Sequence, residues 1–293
     1  MRKVWIEAAL NGPWGRARQP GIPVAVSEIV ADGIAAAQAG AAIVHIHAYD
    51  EALGRQRDDW EIYARIIEGV RAKTDAIVYP TIPLSGSDFA GAASGRFAHT
   101  EELAKRGLIE WTVVDPGSVN FVRYDEMTEP GAGFVYQNAP GDLAEGLRIA
   151  RAYAIHPGYA VYEPGFTRLG AALAAIEPRA PTPIYRFMFS DAFAWGFPPQ
   201  ERFLDAHLDL LAQAAPGAPW MVAGLGVDIR PLIAPAVARG GHVRVGLEDA
   251  PFGSTWSNRR WVEEARRLIE AAGGAVASPD DVRRDLAATR RGG

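Results

Sequence analysis

The chain has 293 residues, 48% of them hydrophobic and 22% charged, with a formal net charge of −5. That is enough chain for one large domain or two small ones. The acidic balance argues against nucleic acid or an acidic membrane surface as a general partner. No stretch approaches the ~18 apolar residues of a membrane span, and with no cysteine the chain has no disulfide, thiolate metal ligand or cysteine nucleophile. Glu7 interrupts the first apolar run too early for a secretory leader, so the expected location is the cytoplasm.

Read in chain order, a strand-like run followed by a helical one recurs eight times. Residues 4–10 form the first predicted strand, and Ser27 is placed to cap a helix running to Gln38, with Gly40 ending it. A strand over 42–47 precedes a helix over 60–73. A strand over 76–81 precedes a Gly- and Ser-rich loop and a short helix over 100–106. The fourth strand, 110–115, leads into an irregular stretch, 117–138, with a short extra strand at 134–137, and then a helix over 142–153. Strands at 159–163, 184–189, 220–224 and 242–247 alternate with helices at 168–176, 201–214, 231–239 and 259–272. Ser278-Pro279-Asp280-Asp281 opens a final short helix: a capping serine, proline in the first turn, then acids at the positive helix end.

Eight β-then-α units without a low-complexity linker predict a (β/α)₈ TIM barrel, one domain over residues 1–293 with a short C-terminal helical extension. An open doubly wound sheet fits less well, because no Gly-x-Gly-x-x-Gly follows the first strand. In a barrel the site lies at the C-terminal strand ends. Asn11, His47, Thr81, Asp115, Glu163, Ser190 and Glu248 all fall there.

Ile43-Val44-His45-Ile46-His47 places two imidazoles on one face of a buried strand. Such a pair can grip one divalent cation, and Glu248 is a candidate third ligand that leaves a position open for substrate. Nitrogen and oxygen ligands without thiolate suit zinc, with other divalent transition metals as substitutes. On the eighth strand Arg244, Gly246 and Glu248 share a face, and strand eight neighbours strand one, which neighbours strand two. Asp249, one residue on, could act as a base or hold Arg244; a structural salt bridge of Arg244 is the plainer alternative. Asn11-Gly12 and Asp115-Pro116-Gly117 are ordinary turn chemistry, over the mouth where substrate would enter. His242 is read as structural, while His99, His156 and His207 receive no role. Aromatic residues near the mouth, among them Trp14, Tyr49 and Trp195, would give a pocket with apolar walls.

The segments Ala8-Ala9-Leu10-Asn11-Gly12, Ala39-Gly40-Ala41 with Val44-His45-Ile46-His47, Val222-Ala223-Gly224-Leu225-Gly226 and Gly240 through Asp249 resemble the β-keto acid cleavage enzymes. The likeness runs in matching order over nearly the whole chain. It implies a (β/α)₈ barrel, a homotetramer, and zinc or another divalent metal held by His45, His47 and Glu248. It also implies an acyltransferase that exchanges a β-keto acid and acetyl-CoA for acetoacetate and a new acyl-CoA. Arg244 and Asp249 match the family's catalytic pair, and Thr81 its hydroxyl after strand three. Asp115 stands where a substrate-touching asparagine is usual. Asn11, Trp14, Thr81 and Asp115 are the expected substrate contacts.

Several positions depart from the family pattern. Residues 81–86 lack its Gly-Gly turn, Tyr49 replaces an arginine, and Val113 a threonine. Trp14 and Ala160 replace the acids that receive an amino group in the founding member. A cationic substrate would be desolvated there without compensation, so the expected substrate side chain is neutral, apolar or aromatic. Two alternatives remain: a metal-dependent lyase or hydrolase of another 1,3-dicarbonyl compound that uses water instead of CoA, and a catalytically silent binding barrel.

Overall fold

The computed structural model describes residues 1–83, 93–177 and 180–289. The loop expected after the third strand, including Leu84, Ser85 and Gly86 of the departing segment, lies outside the described residues.

Eight parallel strands form the core: β1 (Ile6–Ala9), β2 (Ile43–Ile46), β3 (Ile77–Pro80), β4 (Trp111–Val113), β5 (His156–Val161), β6 (Ile184–Phe189), β7 (Trp220–Gly224) and β8 (His242–Val245). Hydrogen-bonded ladders run β3-β2-β1-β8-β7-β6-β5-β4. Tyr79 of β3 and Trp111 of β4, with ring centroids 5.8 Å apart, bring the two ends of the ladder together. The result is a nearly closed (β/α)₈ barrel.

The helices between strands are amphipathic for the reason the spacing predicts. The helix after β8, Asn258–Ala271, buries Trp261, Val262, Ala265 and Ile269 on one stripe. Its preceding Ser257 accepts a hydrogen bond from the Arg260 N–H at 3.3 Å. The helix after β1, Val26–Ala39, differs from expectation at its start. Ala25 stands at the N-cap, and the Glu28 carboxylate reaches back to the Val24 and Ala25 N–H groups at 2.9 and 3.0 Å. An acid in the first turn thus satisfies the donors at the helix entry, two residues ahead of where Ser27 was expected to cap.

The N-terminal end of the barrel is closed by the last helix, Pro279–Thr289. Lys3 pairs with Asp281 at 2.7 Å, and Trp5 Nε1 donates to Asp285 at 2.9 Å. His242 stacks on Trp5 at 3.8 Å and accepts its backbone N–H, which bears out a structural role.

His207, on the helix Glu201–Ala214, lies against Phe187, with ring centroids 4.5 Å apart. Both of its ring nitrogens are buried without a hydrogen-bond partner, and burial pushes its pKa down to about 4. A histidine depressed in the folded state binds its proton more readily when unfolded. Its penalty is therefore absent above the unfolded value of ~6.5 and grows as pH falls from there to about 4. Full development costs about 3 kcal/mol. His207→Leu is accordingly expected to melt close to the parent at pH 7 and above it at pH 4. Parallel melting curves for the two proteins across this range would show that His207 does not contribute to acid sensitivity.

Candidate active site

The barrel interior beneath the mouth holds charges where aliphatic layers are usual. Register partners Glu7 of β1 and Arg244 of β8 lie side by side, with the Arg244 Nη1 donating to Glu7 Oε1 at 3.0 Å. The same Glu7 oxygen accepts from the Tyr79 hydroxyl at 2.5 Å, and Tyr79 accepts from Arg186 Nη1 at 2.6 Å. Gly158 of β5 makes room for this second guanidinium: a Cβ there would lie 3.1 Å from Arg186 Nη2. All four polar side chains are buried.

Above this layer Arg244 grips both oxygens of Asp249 at 2.8 Å, and its Nη2 reaches Glu248 Oε1 at 2.9 Å. Strand alternation would send residues 248 and 249 to opposite faces. Instead β8 stops at Val245, and Gly246 adopts φ +140 with its Cα so close to β1 that a Cβ would meet the Ala9 carbonyl at 2.1 Å. A side chain is excluded there on both counts. The chain then turns, with the Asp249 and Ala250 N–H groups donating to the Gly246 carbonyl, and this turn delivers both acids to one arginine. Asn258 fixes the turn from outside by accepting from the Leu247 N–H at 2.7 Å and donating to the Leu10 carbonyl at 2.8 Å.

His45 and His47 face Glu248 from β2 and the residue after it. Their Nε2 atoms lie 3.6 and 3.4 Å from the two Glu248 oxygens, and the candidate ligand atoms of all three residues fall within 4.8 Å of one another. Burial holds the His45 imidazole well below its ordinary pKa. Burial would raise the Glu248 carboxyl, but the positive charge beside it, that of Arg244 above all, holds it well below the usual carboxylate range. His47 Nε2 and Glu248 Oε2 are both buried without a hydrogen-bond partner. Orphaned lone pairs converging on one point are costly unless a cation lies among them. The residues therefore fit a divalent metal of the nitrogen- and oxygen-loving kind.

The other expected site residues divide by placement. Trp14, Thr81 and Asp115 line the cavity with the triad and Arg244, and the Trp14 indole donates to the Glu248 carbonyl at 2.8 Å. Asp115 accepts from the Ala160 N–H at 2.7 Å and from the Tyr136 hydroxyl at 2.8 Å. Its pKa is raised by burial, against the pull of Arg186 and these hydrogen bonds. The Asn11 amide is fully buried and engaged with the chain itself, donating to the His47 and Pro23 carbonyls and accepting from the His47 N–H. Asp249 lies behind Arg244, and burial pushes its pKa up to about 6 against the guanidinium's pull. Glu163 and Ser190, also at strand ends, tie loops together through the Gly196 N–H and the Leu225 carbonyl. His99 bonds the Thr81 carbonyl through Nε2 at 2.8 Å.

Three walls of the cavity were not anticipated: Phe121, Tyr136 and Tyr162. The first two come from a hairpin, Val119–Phe121 paired with Phe134–Tyr136, inside the stretch read as irregular. Glu7 and Arg186 were also missed as site residues. A single charge inside each of the apolar runs Trp5-Ile6-Glu7-Ala8 and Tyr185-Arg186-Phe187 was the available signal.

Comparison with known proteins adds to this geometry. The pattern of the family described as beta-keto acid cleavage enzyme matches residues 3–287. A 3-dehydrocarnitine:acetyl-CoA trimethylamine transferase of Rhizobium meliloti is 27% identical over 99% of this chain and 98% of its own length. A 3-keto-5-aminohexanoate cleavage enzyme of Fusobacterium nucleatum is 29% identical over 98% of each chain. A 3-oxoadipate:acetyl-CoA acetyltransferase of Cupriavidus necator is 29% identical over 93% of this chain and 90% of its own. Among solved structures, the binary complex of ObcA with oxaloacetate superposes with a TM-score of 0.75 at 18% identity, over 93% of this chain and 68% of that one. This last likeness concerns the fold alone.

Proposed function

Because the chain belongs to the beta-keto acid cleavage enzyme family, we propose that it transfers the acyl group of a β-keto acid with a neutral side chain from carbon to CoA. In this exchange the R–CO group of R–CO–CH₂–COO⁻ passes to the CoA sulfur. The CH₂–COO⁻ fragment takes the acetyl group of acetyl-CoA and leaves as acetoacetate. The observation that carries this reading is the convergence of His45, His47 and Glu248 at the floor of a cavity whose outer wall is apolar.

His45, His47 and Glu248 would hold a divalent cation, zinc by the chemistry of the donor set, and the cation would serve as a Lewis acid toward the substrate's oxygens. Charge balance supports it: Glu7, Asp115, Glu248 and Asp249 are buried carboxylates beside the buried guanidiniums of Arg186 and Arg244, while a third buried guanidinium, Arg96, pairs with Asp142 at 3.3 Å, which leaves a formal excess that a divalent ion offsets. Arg244 orients Glu248 and Asp249 together. Asp249 is the group we assign to proton movement, with Arg244 holding its carboxylate and stabilising negative charge beside it. Thr81 and Asp115 face the substrate from β3 and β4, and Asn11 acts on the site by holding the His47 backbone.

Side-chain preference follows from Trp14 and Ala160, which both line the cavity. Around them stand Phe121, Tyr162, Met188 and Leu225; among the described residues the acids that line the cavity are Glu248, assigned to the metal, and Asp115, each of whose oxygens already accepts a hydrogen bond. A panel of β-keto acids with alkyl, aryl and amino side chains, assayed for acyl-CoA with acetyl-CoA supplied, tests the proposal. Neutral compounds are expected to exceed amino compounds in kcat/KM by about 10- to 100-fold, the cost of an unpaired buried polar group. A preference for amino compounds would overturn the neutral side chain. Release of free acid without any CoA ester would overturn the acyl transfer in favour of cleavage by water.

A further inference from the structure

His47 has a second ring nitrogen, and the role of that nitrogen is settled by a carboxylate behind its hydrogen-bond partner. Nδ1 lies 2.8 Å from Gln56 Oε1. Gln56 sits on a small hairpin, Tyr49–Asp50 paired with Arg55–Gln56, in the loop that follows β2. Its Nε2 lies 2.9 and 3.0 Å from the two oxygens of Asp58. A carboxylate accepts and does not donate, so the amide must turn its NH₂ toward Asp58 and its oxygen toward His47. That orientation requires the His47 proton to reside on Nδ1, which leaves the Nε2 lone pair facing Glu248.

The chain of contacts continues inward. The Tyr63 hydroxyl donates to Asp58 Oδ1 at 2.8 Å from the helix Trp60–Arg71. Burial raises the Tyr63 pKa well above its ordinary value, so the hydroxyl keeps its proton and remains a donor. The Tyr63 ring stacks on His99 at 5.4 Å, and His99 in turn bonds the Thr81 carbonyl. One connected set of side chains therefore anchors both the His47 imidazole after β2 and the residue after β3.

We infer that Gln56, backed by Asp58 and Tyr63, is a positioning group that fixes the His47 tautomer and sets the affinity of the site for its metal. The inference rests on the reading of His45, His47 and Glu248 as a metal centre. Partners of this kind, placed behind a ligating imidazole, typically change metal affinity by about 10- to 100-fold when removed. Gln56 is half-buried and the hairpin pairs through its backbone, so replacing the side chain leaves the barrel's packing intact.

The test uses zinc itself, titrated against a chromophoric chelator, on the full chain. Gln56→Leu is expected to weaken zinc binding by about 10- to 100-fold while the melting temperature of the metal-free protein stays close to the parent. The paired exchange Gln56→Glu with Asp58→Asn again presents an oxygen to His47 with a donor behind it, and is expected to recover most of the lost affinity. Nitrogen NMR of metal-free parent protein should show His47 protonated on Nδ1, and Gln56→Leu should lose that preference. Zinc affinity within twofold of the parent in Gln56→Leu, or a parent His47 protonated on Nε2 alone, would overturn the inference. The NMR readout needs no metal, so it decides the role of Gln56 separately from whether the triad binds zinc at all.

Discussion

Replacing His47 with alanine is expected to yield a folded barrel that no longer retains stoichiometric zinc and turns over β-keto acid about 10³-fold or more slowly. The reasoning runs from geometry to magnitude. His47 supplies one of three converging ligand atoms, and two ligands hold a divalent ion far less well than three. Losing a Lewis acid removes several kcal/mol of charge stabilisation in the transition state, and each 1.36 kcal/mol is about tenfold in rate. Folding should survive, because the hydrogen bonds that Asn11 makes to residue 47 run through its backbone and do not need the ring. Glu248 also keeps Arg244 as its counter-charge. His45→Ala is expected to behave alike. Elemental analysis of the purified variants, set beside their thermal melts, checks both halves. A variant that kept one zinc per chain would remove that histidine from the ligand set.

Asp249→Asn is the second large effect. The amide preserves shape, but it places an NH₂ group against a guanidinium that in the parent donates to both Asp249 oxygens at 2.8 Å. Arg244 loses one of its three carboxylate partners while Glu7 and Glu248 remain. Removal of a group that moves a proton costs about 10²- to 10⁴-fold in rate. We expect kcat to fall in that range with KM within a few-fold of the parent and zinc content unchanged. Parent-like turnover would exclude Asp249 from the mechanism. A rise in KM with kcat preserved would assign it to uniform binding, felt equally by substrate and transition state.

Much of this protein was legible before any fold was known. Hydrophobic runs of strand length, separated by helical spacing, led to eight β/α units and so to the barrel. Boundaries moved where local chemistry competed with pattern. The fifth strand starts at His156 and runs through Pro157 and Gly158, residues that argue against a strand when taken one by one. Only half of the hairpin at 119–121 and 134–136 is legible: both arms are three residues long, but Phe134-Val135-Tyr136 is an unbroken run of strand formers, whereas Asn120 interrupts the first arm. The His-x-His pair was readable because alternation alone places two imidazoles on one face. Glu7 and Arg186 were overlooked because a lone charge in a strand carries no partner in the sequence.

By itself the sequence determined the periodicities, and with them the alternation of strands and helices, the pairing of His45 with His47, and the motif order that places the chain in its family. These are short-range properties, set by which face of a strand or helix a residue occupies. The tertiary structure alone decided which distant charges meet. Closing the ring brought β1 against β8, so that Glu7 could bind Arg244. The Gly246 turn carried both Glu248 and Asp249 to the same guanidinium. Neither outcome follows from spacing, because electrostatic partners in a dry interior are selected by distances that exist only once the barrel has closed.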